Sequence, residues 1–131
     1  MPAERLTTHR PLRVLLVVPE AGLRAHTQEA LQGHAVVVAV ADATRALASA
    51  FESAPDAVVA DAGAGDDLAR ALRADVRTRG VPILMMTARG ADGLAEGLGA
   101  DADEYLLKPV PAAELQARVE AQARRAWSRD E

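Results

Sequence analysis

Cysteine is absent from this chain, which excludes disulfides, iron–sulfur clusters and thiolate zinc sites. Aromatic residues are nearly absent too, with Phe51, Tyr105 and Trp127 the whole set. A core must therefore be assembled from Val, Leu and closely packing Ala. No apolar run approaches the roughly 20 residues that span a bilayer, and the first eleven residues lack the apolar stretch of a secretion signal. The expectation is a cytoplasmic protein with no membrane partner. A dense positive field is also missing: the formal net charge is -4 with both signs interspersed, which argues against direct contact with nucleic acid. His9, His26 and His34 are too scattered for a metal cluster, and the glycines of 90–99 follow no phosphate-loop spacing.

What is present fits one domain, since 131 residues support a single hydrophobic core. Residues 1–11 read as a flexible lead-in, 12–127 as the domain, and 128–131 as a tail or the start of a linker to an output module. From residue 12 short apolar runs alternate with stretches of helical spacing. Strands are expected at 13–18, 36–41, 57–61, 82–87 and 104–107. The first four are nearly continuous in apolar character, as in parallel strands covered on both faces. Helical spacing places Leu23, Thr27, Ala30 and Leu31 on one face, then Ala46, Leu47, Ala50 and Phe51, with Asp42 as a cap. A third helix is expected after the acidic pair Asp66 and Asp67, burying Leu68, Ala71, Leu72 and Val76. Gly93 and Gly97 weaken a fourth at 91–99. The last begins at Pro111, suited to a first helical turn, and runs through Leu115, Val119 and Ala123 to Trp127. Five strand–helix alternations imply an α/β fold: a doubly wound five-stranded parallel sheet with helices on both faces.

In such a sheet the functional crevice lies at the carboxyl ends of the strands. There the sequence places Val18, Pro19 and Glu20 after the first strand, Asp61 after the third, Thr87 after the fourth and Lys108 after the fifth. A carboxylate, a hydroxyl and an ammonium together match a chemistry in which the carboxylate accepts a phosphoryl group and the other two bind its oxygens. Residues 12–127 resemble the receiver domains of response regulators in bacterial two-component signalling, of flavodoxin-like topology. The resemblance is carried by "RVLLV", "PDAVVAD", "PILMMTA", "GADADEYLLKP" and "AAELQARV". It implies that Asp61 is the phosphoacceptor, Thr87 the switch hydroxyl, Lys108 the phosphate-binding lysine and Tyr105 the aromatic that changes rotamer. It also implies a cis bond before Pro109, and histidine-kinase partners in a phosphorelay. An output domain or second copy would dock through the fourth helix, fifth strand and final helix.

The sequence departs from the family in two places. Receivers carry two adjacent acids after the first strand, whereas Val18 and Pro19 hold those positions here. Glu20 follows one position late. The "AGAGDD" stretch after Asp61 is shorter than the family's loop, which bears on the Gly63 carbonyl, a metal ligand by resemblance. Glu20, Asp66 and Asp67 are the candidate replacement ligands for magnesium, although Asp66 and Asp67 also suit a helix cap. No cofactor is otherwise implied. The expectation is a pseudo-receiver that relays signals through protein contacts, with Asp61 paired directly to Lys108. The alternative is a working phosphoacceptor using the replacement ligands. An aspartyl-phosphate hydrolase would need a second acid that Asp61-Ala62-Gly63 lacks, so no enzyme is expected. A small-molecule module on the same scaffold is a third class, favoured by the lower charge of the crevice. Arg118, Arg124, Arg125 and Arg129 read as a solvated helix face, and Trp127 as a connection beyond the domain rather than a staple within it.

Overall fold

The computed structural model describes residues 11–88 and 102–129, without the side chains of Asp66 and Arg129. Its elements in chain order are β1 (Arg13–Val17), α1 (Ala21–Leu31), β2 (Val36–Val40), α2 (Ala43–Glu52), β3 (Ala57–Asp61), α3 (Ala62–Ala74), β4 (Ile83–Thr87), β5 (Glu104–Leu107) and α4 (Ala112–Arg129). The expected helix at 91–99 lies outside the described residues, as does His9.

All strand pairings are parallel, in the order β2-β1-β3-β4-β5. The chain moves outward from β1 to β2 and then returns to the other side of β1, so strand order reverses between β1 and β3. Strand side chains alternate between two cores. Leu15 and Val17 of β1 join Val58, Ala60, Ile83 and Met85 under Ala46 and Ala50 of α2 and Leu68 and Leu72 of α3. Val14, Leu16 and Val18 join Val59, Leu84 and Met86 under Leu31 of α1 and Leu115 and Val119 of α4. β1, β3 and β4 are covered on both faces as expected. β2 is not: it is an edge strand, and Val36 and Val38 are exposed.

Side chains fasten the ends of these elements. Asp42 caps α2 as expected, its Oδ1 accepting from Arg45 N at 2.8 Å. Asp56 fixes the base of the sheet by accepting from Arg13 N at 2.8 Å and from Trp127 Nε1 at 3.1 Å. Trp127 thus staples the last turns of α4 to its own domain, which revises the expectation of a free connecting residue. At the same end of β4, Asp103 accepts from Ile83 N at 2.7 Å and pairs with Arg73 of α3. Pro111 sits one position before the expected first turn, since its carbonyl accepts the first α4 bond from Leu115 N at 3.0 Å.

The start of α3 departs most from expectation. The helix begins at Ala62, directly after β3, and absorbs "AGAGDD" as its first two turns. Asp66 and Asp67 therefore lie inside the helix and cannot cap it. Gly65 is present for close approach rather than flexibility: a Cβ there would meet Met85 Cε at 2.9 Å and Ala60 Cβ at 3.3 Å. Val76, expected on the buried face, falls beyond the helix end and is 73% exposed.

Candidate phosphorylation site

Asp61 ends β3 and stands at the N-cap of α3, yet its side chain makes no cap hydrogen bond. The carboxylate turns instead to Lys108, with Nζ 2.5 Å from Oδ1. Both side chains are mostly enclosed, Lys108 25% and Asp61 20% exposed, so this pair is shielded from solvent more than a surface pair. The ion pair expected from the sequence is present.

Strand register gathers the rest of the site. Asp61 pairs with Met86, so Thr87 is the next residue along β4, and Thr87 pairs with Leu107. Lys108 N donates to Thr87 O at 2.7 Å, which locks the lysine backbone to the strand carrying the hydroxyl. Thr87 is buried. The Lys108–Pro109 bond is cis, as the resemblance implies. Tyr105 on β5 is half-buried against the core shared by α2 and α3. Asp61, Thr87 and Lys108 thus come together from three adjacent strands.

Lys108 is the only lysine, and the other fourteen of the fifteen Lys and Arg residues are arginine. Arginine is a planar fork, whereas an ammonium is a compact point charge with three donors. A chain that uses arginine everywhere else keeps the ammonium at the one place where it meets the Asp61 carboxylate. Counting residue types would have singled out this position without any structure.

The end of β1 is built differently. Val17 pairs with Ala60, so Val18 and Asp61 stand side by side at the next step. Val18 is fully buried in the core beneath α1 and α4. Pro19 is exposed. Glu20 caps α1 with both carboxylate oxygens, Oε2 accepting from Gly22 N at 2.8 Å and Oε1 from Leu23 N at 2.7 Å. Those two backbone bonds hold its carboxyl below the ordinary value of 4.5. Arg24, which periodicity gave no reason to single out, closes the loop by donating Nη1 to Val18 O at 2.8 Å and Pro19 O at 3.1 Å.

A magnesium ion takes near-octahedral oxygen coordination, and several of the candidate ligands already have partners among the described residues. Asp61 Oδ1 faces the lysine, and Glu20 is committed to its helix. Gly63 lies in the first turn of α3, where carbonyls serve the i to i+4 ladder. Asp67 points to solvent and pairs with Arg70 at 2.8 Å. The Asp66 side chain lies outside the described residues. No group of three or more acidic or imidazole side chains suited to a metal occurs among the described residues.

Residues 14–120 match the model of the response regulator receiver domain. The chain belongs to that family. Over 121 residues it is 44% identical to the two-component response regulator PhoP of Pseudomonas aeruginosa, covering 87% of this chain and 52% of the relative. Over 123 residues it is 41% identical to the transcriptional regulatory protein PrrA of Mycobacterium tuberculosis, covering 88% and 52%. The chain therefore spans about half the length of the curated relatives it matches. Among solved structures, a response regulator from Chloroflexus aurantiacus aligns with a TM-score of 0.82 at 29% identity, covering 88% of this chain and 99% of that one. The receiver domain of a sensor histidine kinase from Pseudomonas aeruginosa, with magnesium coordinated in its active site cleft, aligns at 0.80 and 29% identity, covering 87% and 98%. The fold is the flavodoxin-like receiver fold, and the chain is a receiver domain of two-component signalling.

Proposed function

We propose that this receiver relays signals through protein contacts as a pseudo-receiver, with magnesium-dependent phosphorylation of Asp61 weak or lost. The observation that carries the reading is the end of β1. Val18 is a core residue there, and the neighbouring acid Glu20 spends both oxygens on a helix cap. Phosphoryl transfer depends on neutralising charge at the transferring group, and the ammonium of Lys108 would have to do so without an acid-bound cation. Intact-mass measurement after incubation with acetyl phosphate, with and without magnesium, tests the reading. No added phosphoryl mass supports it, and magnesium-dependent addition lost in Asp61→Asn overturns it.

One observation favours the alternative of a working phosphoacceptor. Asp61, Thr87 and the single lysine are held together on adjacent strands, as that chemistry needs, and the replacement ligands would be Glu20, Asp66 or Asp67. Magnesium-dependent labelling that falls in Glu20→Gln would establish this reading and its ligand together.

Under either reading the domain is not an enzyme, acts in the cytoplasm, and takes a histidine kinase or another signalling protein as partner. No helix among the described residues is long and apolar enough to cross a membrane. PrrA and PhoP are named as regulators and are about twice the length matched here. MtrA of Mycobacterium tuberculosis, named as a DNA-binding response regulator, is 40% identical over 51% of its length. That this domain itself makes no direct contact with nucleic acid rests on its formal net charge of -4 with both signs interspersed. An output domain or second copy would meet this domain on the face of β5 and α4; the helix expected at 91–99 to share that role lies outside the described residues.

A further inference from the structure

Lys108, which pairs with Asp61, also lines a cavity. The cavity has a volume of about 340 Å³ and opens between α1 and the loop from β5 to α4, with Leu23, Ala30, Met86, Val110 and Leu115 among its walls. All five belong to the same apolar cluster as Val18. An acid in place of Val18 would put charge into that cluster, and the valine keeps it apolar up to the crevice.

Polar groups at the cavity are few and of one character. Thr27 lines it, but its hydroxyl donates back to Leu23 O at 2.7 Å within α1. Among the described residues that leaves Lys108 and the exposed His26 as the other polar side chains on its wall. An ammonium has three donor hydrogens, so an anion in the cavity can share Lys108 with Asp61. No carboxylate among the described residues lines this cavity. Its size is at the low end of ligand sites, about 300–1,000 Å³, and suits a small molecule rather than a docked helix.

We propose that this cavity binds a small amphipathic anion: an aliphatic or small aromatic body between α1 and α4, with a carboxylate or like group on Lys108. Binding reaches Asp61 through the shared ammonium. The inference is independent of whether Asp61 is phosphorylated, because ligand binding and phosphodonor labelling can fail separately.

Octanoate, 1-octanol and octylammonium serve as probes that share a body and differ in charge. Calorimetric titration should give saturable one-to-one binding of octanoate, about tenfold tighter than octanol, the scale of one charge-assisted hydrogen bond, and weakest binding of octylammonium. Lys108→Met should erase the preference of octanoate over octanol. Ala30→Phe, which fills the cavity, should abolish binding of both. A readout on the unsubstituted protein guards against misfolding of that variant. In methyl spectra of methionine-labelled protein, Met86 lines the cavity whereas Met85 packs in the opposite core, so octanoate should shift Met86 and leave Met85 in place. No saturable octanoate binding, equal affinity for octanoate and octanol, or equal shifts of both methionines would overturn the proposal.

Discussion

Lys108 and Asp61 face each other across the carboxyl ends of β5 and β3 with their charged atoms 2.5 Å apart and most of each side chain enclosed. Exposed pairs contribute about 0.2–1 kcal/mol, whereas breaking a fully buried pair costs about 3–5 kcal/mol. This pair lies between those limits. Lys108→Met and Asp61→Asn should each cost about 1–2 kcal/mol in urea unfolding. The double variant should recover part of that loss, because neither charge is then left without a partner. Additive losses in the cycle would show that the contact carries no coupling.

Arginine should not replace Lys108, although it serves for every other cation of the chain. The longer planar fork cannot hold the same point contact while the Lys108 backbone stays bonded to Thr87 O. Lys108→Arg should lose most of the coupling to Asp61 that the cycle measures. Full retention would mean that charge alone decides the position.

Glu20 gives the site a pH dependence unrelated to phosphorylation. Its bonds to Gly22 N and Leu23 N depress its folded pKa below 4.5. A depressed acid stabilises the fold above the unfolded pKa and loses that contribution as pH falls through the folded pKa. The melting temperature should therefore fall below about pH 4.5 more steeply in the natural protein than in Glu20→Ala, which starts lower at neutral pH. Parallel profiles would remove the cap from the account.

The base of the sheet offers a separate test. Asp56 is 8% exposed and receives Arg13 N and the indole of Trp127. Asp56→Ala leaves two part-buried donors without this acceptor and should cost about 1–2 kcal/mol. Trp127→Phe loses one hydrogen bond and should cost about 1 kcal/mol. Trp127 is the only tryptophan, so its emission should shift to the red in Asp56→Ala as the last turns of α4 loosen. Unchanged emission would mean that the helix end is held elsewhere.

These relationships differ in how visibly they are written in the sequence. The runs of β1, β3 and β4 announce buried parallel strands, and three strand ends announce Asp61, Thr87 and Lys108, because each depends on residues close in sequence. The turns of α3 are hidden, since glycine reads as a loop signal while Gly65 serves contact with Met85, twenty residues away. Glu20 as a cap is hidden behind its resemblance to a displaced ligand. The Asp56–Trp127 bond spans 71 residues, and no local period can report it. β2 misleads differently: its apolar run fits a covered strand, and only strand order makes it an edge.

The most decisive measurement concerns magnesium. A ligand that binds only the folded state raises stability by mass action, so a receiver with a complete acidic site should melt higher with millimolar magnesium. Two carboxylates about 4 Å apart also repel by roughly 4 kcal/mol at an effective dielectric of 20, which a dication relieves. On the pseudo-receiver reading, Val18 and Pro19 supply neither the ligands nor the repulsion, and Asp61 already faces an internal ammonium. Magnesium gives up its waters reluctantly. The melting temperature should hence be nearly unchanged by the ion. Val18→Asp with Pro19→Asp should lower stability without metal, because Val18 is a core position, and should make stability depend on magnesium. A clear rise in the unsubstituted protein, lost in Asp61→Asn, would restore a working metal site, and repeating the titration in Glu20→Gln and in Asp66→Asn with Asp67→Asn would locate its other ligands.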